Sequence, residues 1–442
     1  MSIYALSSGR GPSGIAIVRI SGKETLQICQ DLTKLENINS NEVNFCKFYD
    51  PKNNNIIDPE ALLLWFPRPN SYTGEDLAEL QIHGSNAVIN ALLKVLSEQN
   101  NCRLAEPGEF TKLAFQNDKI DLLKAESIGD LIHSETELQR IQAIKLVQGS
   151  ASNYYNELRK KIIKSLALIE AKIDFAEEDL PPKVLKEAHK SIKEIHSEII
   201  KIIEDNKVGE KIRDGFRVAI TGEVNAGKSS LLNLLSKREV AIVSDQAGTT
   251  RDVIETYLNL EGYPVILADT AGIREAKNDI EKKGVSLALG KSKEADIKIV
   301  VIDNSSKKIN NDILKMIDNN TIVLLNKSDI SGKQNYRFDV DTVLASVKGN
   351  KNIDKLINLI INKLSKKFSH NSSILVTRER HRIKLKECLK EIDNFLKKDQ
   401  TKDLELAAED LRMATRHLGG IIGKVDVEEI LGSIFKDFCI GK

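Results

Sequence analysis

The stretch "FRVAITGEVNAGKSSLLNLLSK" (residues 216–237) decides how the middle of the chain folds. It opens on an apolar run suited to a buried strand and closes on a helical pattern. Between the two lies Gly222-x4-Gly227-Lys228-Ser229, a phosphate-cradling loop in which Asn225, Ala226 and Ser230 fill the remaining places around the ligand. Glycines let backbone N–H groups approach phosphate oxygens, Lys228 reaches the β- and γ-phosphates, and the Ser229 hydroxyl ligates Mg²⁺. The loop pattern alone can arise by chance. Its place between a strand and a helix makes it a nucleotide site.

Outward from this loop, "PVILADT" (264–270), "IKIVVID" (297–303) and "TIVLLN" (321–326) are near-continuous apolar runs separated by helical segments. That alternation predicts a parallel sheet covered on both faces. "LLNKSD" (324–329) follows the last run. The Asp329 carboxylate there can accept hydrogen bonds from guanine N1–H and N2–H₂, which adenine does not offer, while Asn326 and Lys327 buttress the loop and cover the ring. In "ADTAGIRE" (268–275), Asp269 holds Mg²⁺ through water and the Gly272 amide meets the γ-phosphate, so Asp269, Thr270, Ala271 and Gly272 form a candidate switch. "SDQAGTTRD" (244–252) supplies the other switch, with Ser244, Asp245, Gln246, Ala247, Gly248, Thr249 and Thr250 at the nucleotide; one of the threonine hydroxyls completes the Mg²⁺ shell. Ile273 stands where a Ras-like GTPase carries the glutamine that orients the attacking water. Hydrolysis here needs another route.

Three textures divide the 442 residues. Residues 1–118 mix strand-like runs ("GIAIVRI", "ALLLWF", "LAELQIHG") with the helical "NAVINALLKVLSE", an α+β pattern. Residues 119–210 turn helical, with Leu158, Ile162, Leu166, Ile169 and Ile173 on one stripe. After Pro181-Pro182, a second stripe runs through Val184, Ala188, Ile192, Ile195, Ile199 and Ile202. The α/β segment 211–371 is followed by helical 372–442, where Leu385, Leu389, Ile392 and Leu396 recur, then Leu404, Ala407 and Leu411. The reading is a multidomain α/β chain with a G domain inserted into a discontinuous helical domain.

Charged residues make up 29% and the formal net charge is +1, so no global field draws the chain to nucleic acid or membrane. A local surplus lies in residues 376–398, with eight Lys/Arg against four acids, either a nucleic-acid-backbone patch or a solvated helix face. The five cysteines (29, 46, 102, 388, 439) are scattered and odd in number, which suits reduced thiols. With no signal peptide and no apolar run of about 18 residues, a cytoplasmic protein without a membrane role is expected.

Further motifs sharpen the reading. "NAGKSSLLN", "AGTTRD", "DTAGIRE" and "NKSD", together with "VRISG", "SYTGEDLAELQIHG", "EPGEFTKLAFQNDKIDLLKAE" and the terminal "FCIGK", resemble the MnmE (TrmE) family of tRNA-modification GTPases along essentially the whole chain. The resemblance implies a homodimer that forms a heterotetramer with the flavoprotein MnmG. It also implies modification of the wobble uridine of certain tRNAs with GTP hydrolysis and a folate one-carbon donor, 5,10-methylene- or 5-formyl-tetrahydrofolate.

The resemblance also supplies a route without glutamine. Paired G domains hold a potassium ion that does the work of an arginine finger. By this likeness potassium falls to Asn225, Ser244, Gln246 and Thr249, and magnesium to Ser229 and Thr250. Glu281 in "DIEKKG" takes the water-orienting role. The folate site falls on Arg19, Glu79 and Lys119, with Lys442 completing it, and Cys439 is a candidate nucleophile or protector of an intermediate. The competing reading, a ribosome-assembly GTPase that binds RNA, leaves the N-terminal segment and the CIGK end unexplained.

Overall fold

The computed structural model describes residues 1–9, 11–174, 183–205, 207–238, 241–242, 255–269, 295–306, 309–330, 336–368, 375–399, 403–425, 431, 434–435, 438 and 441. They form two compact units, one of residues 1–129, 146–192 and 390–442 and one of 130–145 and 193–389.

The first unit holds strands β1 (Ser2–Leu6), β2 (Ser13–Ser21), β3 (Val43–Tyr49), β4 (Ile56–Phe66), β5 (Leu77–Gly84) and β6 (Cys102–Leu104). They lie in the order β3-β4-β5-β2-β1-β6. All neighbours are antiparallel except β1 and β6. The alternation of β2 and β5 sends Val18, Ile20, Ala78, Leu80 and Ile82 into one core. Helices Thr25–Thr33 and Asn86–Ser97 close that core with Ile28, Leu32, Ile89, Leu92 and Leu96. The second helix starts at Ser85, whose side chain accepts from Val88 N–H at 3.2 Å and so satisfies an otherwise orphaned donor. The opposite face is covered near β1 by Phe110 and Ala105 against Ile3 and Ala5. Elsewhere it leaves Val43, Phe45 and Ile15 exposed at 61%, 70% and 61%.

In the same unit the stripe expected on residues 158–173 lies on helix Ser150–Asp174, with Leu158, Ile162 and Ile169 buried beside Tyr155 and Ser165. This helix packs along Leu404–Ile422. The chain end returns to the N-terminal sheet. Phe435 and Phe438 pack on Ala125, and the Gly441 carbonyl accepts from Ser7 Oγ at 2.8 Å. A side chain at Gly441 would meet the Leu6 oxygen at 2.3 Å, so only glycine makes this approach.

The second unit holds β7 (Phe216–Gly222), β8 (Ala241–Ile242), β9 (Glu255–Leu260), β10 (Tyr263–Asp269), β11 (Ile297–Asp303), β12 (Thr321–Asn326) and β13 (Thr342–Leu344), ordered β13-β12-β11-β7-β10-β9-β8. From β10 to β13 the strands are parallel, as the apolar runs predict. Strand β9 turns back antiparallel through Glu261-Gly262, whose φ of +47° and +92° are those of a tight hairpin turn. One sheet face (Val218, Ile220, Ile299, Val301, Ile322, Leu324) is covered by helices Lys228–Arg238 and Ile353–Phe368. The other face (Val300, Ile302, Val323, Leu325) packs on Ile313. Each fully buried leucine or isoleucine contributes about 1.5–3 kcal/mol, which is why these strands read as unbroken apolar runs. Among the described residues no helix is long and apolar enough to cross a membrane.

Candidate functional site

Chain order jumps across the sheet between β7 and β11, and ligands of open α/β sheets sit beyond the carboxyl ends of strands at such a point. The phosphate loop lies there. Gly222 ends β7 with φ +143°, and a Cβ on it would come within 2.1 Å of the Val301 oxygen on β11. Gly227 has φ +104°, and a Cβ there would strike Asn326 Nδ2 at 2.3 Å. Asn225 is left-handed at φ +63°, and its side chain is exposed at the top of the loop. Ala226 is buried beneath it, and Lys228, Ser229 and Ser230 open the helix. Lys228 Nζ arches back to donate to the carbonyls of Gly222 (3.1 Å) and Glu223 (2.7 Å), which keeps the ammonium over the loop.

The residues expected to read the base converge on the same end. Asn326 is buried; its Nδ2 donates to the Ala226 carbonyl at 2.8 Å and its Oδ1 accepts from Val347 N–H at 2.9 Å. One side chain thus ties the phosphate loop, β12 and the segment after β13 together. Lys327 pairs with Asp303 at 2.6 Å. Asp329 is exposed, and its carboxyl is held below the usual aspartate range, first by a hydrogen bond from Ser346, then by its own backbone N–H and the charges of Lys348 and Lys351. Ser346 is itself fixed, accepting from Gly349 N–H at 2.9 Å. The roles of Ser346 and Val347 are missing from the sequence reading, since one acts through a hydroxyl and the other through a backbone N–H. The short loop "ASVKG" after a strand is the signal that points to them.

Asp269 ends β10 opposite Ile220, beside the phosphate-loop strand. Ser244, Asp245, Gln246, Ala247, Gly248, Thr249, Thr250, Thr270, Ala271, Gly272 and Glu281 lie outside the described residues.

In the first unit, Arg19 and Glu79 face each other across β2 and β5, with Nη2 2.6 Å from Oε1. The guanidinium lies 5.5 Å from the Tyr72 ring and 5.7 Å from the Phe110 ring, aromatic faces that complement its charge. Burial raises the Tyr72 hydroxyl, partly offset by its Thr111 partner and the Arg19 charge. Lys119 Nζ donates to the Pro69 carbonyl at 2.9 Å. Its stem lies 3.3 Å from where a Gly74 Cβ would be, on the loop that also carries Tyr72. Tyr72 and Phe110 are further residues of this site, hidden in sequence as ordinary aromatics. Cys439 and Lys442 lie outside the described residues, although neighbouring Gly441 sits against Leu6 and Ser7.

The cation surplus of residues 376–398 is partly consumed internally. Arg378 pairs with Asp130 at 2.7 Å, Arg382 is buried between Glu210 and Asp205, Lys384 pairs with Glu387, and Lys398 pairs with Asp410.

A family model described as the MnmE helical domain matches residues 122–439, and one described as the GTP-binding protein TrmE N-terminus matches residues 2–119. The chain is similar to the tRNA modification GTPase MnmE of Pelagibacter ubique (strain HTCC1062), 55% identical with 100% of both chains covered. It is similar also to that of Rickettsia bellii (strain RML369-C), 43% identical with 100% of both covered. Among solved structures, the G domain of the T. maritima FeoB iron transporter is 24% identical, covering 34% of this chain and 98% of its own at a TM-score of 0.27.

Proposed function

The chain belongs to the MnmE (TrmE) family of tRNA-modification GTPases, and on that premise we propose a potassium-dependent GTP hydrolase that works with a flavoprotein partner. The pair modifies the wobble uridine of certain tRNAs by a carboxymethylaminomethyl-type addition at C5, with a tetrahydrofolate as one-carbon donor. The chain is read as four segments: an N-terminal folate-binding and dimerisation domain (1–118), a helical domain in two parts (119–210 and 372–442) and a G domain (211–371).

The observation that carries the nucleotide half is Asn326, whose one amide serves both the phosphate loop and the segment that fixes Asp329. This arrangement supports guanine recognition by Asp329 while Lys228 and the loop amides hold the phosphates. The glycine-only approaches at 222 and 227 seat the loop against the Val301 carbonyl and the Asn326 amide, and backbone N–H groups of such a loop suit phosphate oxygens. Ser229, at the first turn of its helix, offers a hard oxygen for magnesium, with Thr250 and, through water, Asp269 completing that shell. Magnesium supplies charge neutralisation at the phosphates. Asn225, Ser244, Gln246 and Thr249 would hold potassium between paired G domains, and the ion would supply the positive charge an arginine finger supplies elsewhere. Glu281 orients the attacking water.

For the folate, Arg19, Glu79 and Lys119 form a donor–acceptor set suited to a ring with N–H groups and a tail with carboxylates. The exposed Val43 and Phe45 on edge strand β3 are apolar surface of the kind a homodimer buries. The test is nucleoside mass spectrometry of tRNA from cells lacking the protein. Loss of the modified wobble uridine, restored by the wild-type gene, is expected; unchanged tRNA overturns the reading.

A further inference from the structure

Lys327 is left-handed, with φ +62°. Residues with side chains seldom adopt that conformation unless their surroundings impose it. Here the loop backbone imposes it, Ser328 N–H donating to the Ala345 carbonyl at 3.0 Å and Ile330 N–H to the Lys327 carbonyl at 3.1 Å. The side chain is held separately, from the neighbouring strand. β11 and β12 run parallel with Asp303 opposite Asn326, which brings Asp303 beside the base-reading loop. Asp303 Oδ2 lies 2.6 Å from Lys327 Nζ. Oδ1 accepts from Ser305 twice, from its N–H at 2.9 Å and its hydroxyl at 2.6 Å. One oxygen is thus committed to the turn, and the other is aimed at the lysine. Asn304 N–H donates to the Asn326 carbonyl at 2.9 Å, which fastens this turn to the end of β12, just before Lys327. Burial would raise the Asp303 carboxyl, but hydrogen bonds from Lys327 and Ser305 hold it below the usual range, so the anion persists.

Building on the guanine-nucleotide reading of this site, we propose that Asp303 is a positioning residue for nucleotide binding. It draws the Lys327 ammonium toward β11 and fixes the methylene stem as a platform for the purine ring. A lysine stem has many rotamers, and one that had to be ordered on binding would weaken affinity. Asp303 orders it beforehand. Asp303 touches no group that distinguishes one purine from another, so its loss weakens GDP and IDP by the same factor. Loss of Asp329 is expected to change their ratio.

The experiment uses the full chain and fluorescent mant-GDP and mant-IDP, with dissociation rates from displacement and Kd from titration. Asp303→Ala and the isosteric Asp303→Asn are both made, so that the test survives if one fails to fold. Both should raise Kd about tenfold, equally for the two nucleotides, through faster dissociation. Because the route runs through the lysine, Asp303→Ala in a Lys327→Ala background should add no further loss. Unchanged dissociation in both single variants overturns the proposal. So does an additive loss in the double variant, which would assign the effect to the sheet. Absence of guanine-nucleotide binding by the wild-type chain overturns the site reading itself, and the proposal with it.

Discussion

Asn326 and Ala226 stand 100 residues apart in the chain, yet the asparagine Nδ2 donates to the alanine carbonyl at 2.8 Å. With Val347 N–H on its other end, this buried amide links the phosphate loop to the segment that fixes Asp329. Asn326→Ala strands both backbone partners, and each stranded group costs about 1–3 kcal/mol. The expected result is a lowered melting temperature together with more than about tenfold weaker binding of a non-hydrolysable GTP analogue. Wild-type affinity in this variant would detach the two loops from one another.

Arg382 makes a second prediction, on stability alone. It is 3% exposed, donates to both Glu210 oxygens at 3.1–3.3 Å, and reaches Asp205 at 2.9 Å. Arg382→Met leaves Glu210 buried without its partner and should cost about 3–5 kcal/mol, read by calorimetry. Adding Glu210→Gln removes the stranded charge and should recover much of the loss. A single variant as stable as the wild type would reduce the cluster to a surface pair.

These two residues also show what the sequence could and could not reveal. Strands β7, β10, β11 and β12 are legible because burial on both faces leaves long apolar runs between their few polar residues. Strand β3 is not, because Val43 and Phe45 are exposed while its partners bury Cys46 and Phe48 across a register shift. In helix Glu379–Lys397 the stripe Leu385, Leu389, Ile392, Leu396 reads well. The buried line is nevertheless Leu385, Cys388, Ile392, Phe395, because His381 and Arg382 belong to the core and turn the face. A paired arginine counts as polar in sequence and as core in the fold. Ser346, Val347 and Asp303 stay unread for a related reason. They act through one hydroxyl, one N–H and one ion pair, none of which has a period.

Arg19 rests against Tyr72 and Phe110 and pairs with Glu79 at 2.6 Å. Arg19→Ala should weaken tetrahydrofolate binding at least about tenfold, because a charge-assisted contact is lost. GTP turnover should be unchanged. Isothermal titration with 5-formyl-tetrahydrofolate checks the first and a phosphate-release assay the second. Undiminished folate binding would remove Arg19 from the site.

The proposed potassium dependence turns on Asn225, exposed and left-handed at the top of the phosphate loop. GTP turnover should fall sharply when sodium replaces potassium, since the smaller ion fits an oxygen cage of potassium size poorly. Asn225→Ala should lower turnover in potassium and narrow the gap between the salts. Equal rates for the wild type in both salts would sink the mechanism that does without glutamine.

Ser346 and Asp329 give a prediction in pH. Guanine N1–H and N2–H₂ need an ionised carboxylate as acceptor, so base reading ends when Asp329 takes up a proton. The hydrogen bond from Ser346 is the foremost cause holding that carboxyl below its usual range. A depressed carboxyl stays charged as pH falls through the ordinary aspartate value of about 3.9, and guanine binding should persist with it. Ser346→Ala removes the hydrogen bond, so the carboxyl rises toward that ordinary value. Affinity for a GTP analogue should then be lost at a higher pH in the variant than in the wild type. Near neutral pH the variant should show only a modest loss, because Asp329 is ionised in both proteins. The measurement is analogue binding from neutral to acid pH, with circular dichroism marking where each protein remains folded. Coincident midpoints within that folded range would mean that Ser346 does not set the Asp329 carboxylate.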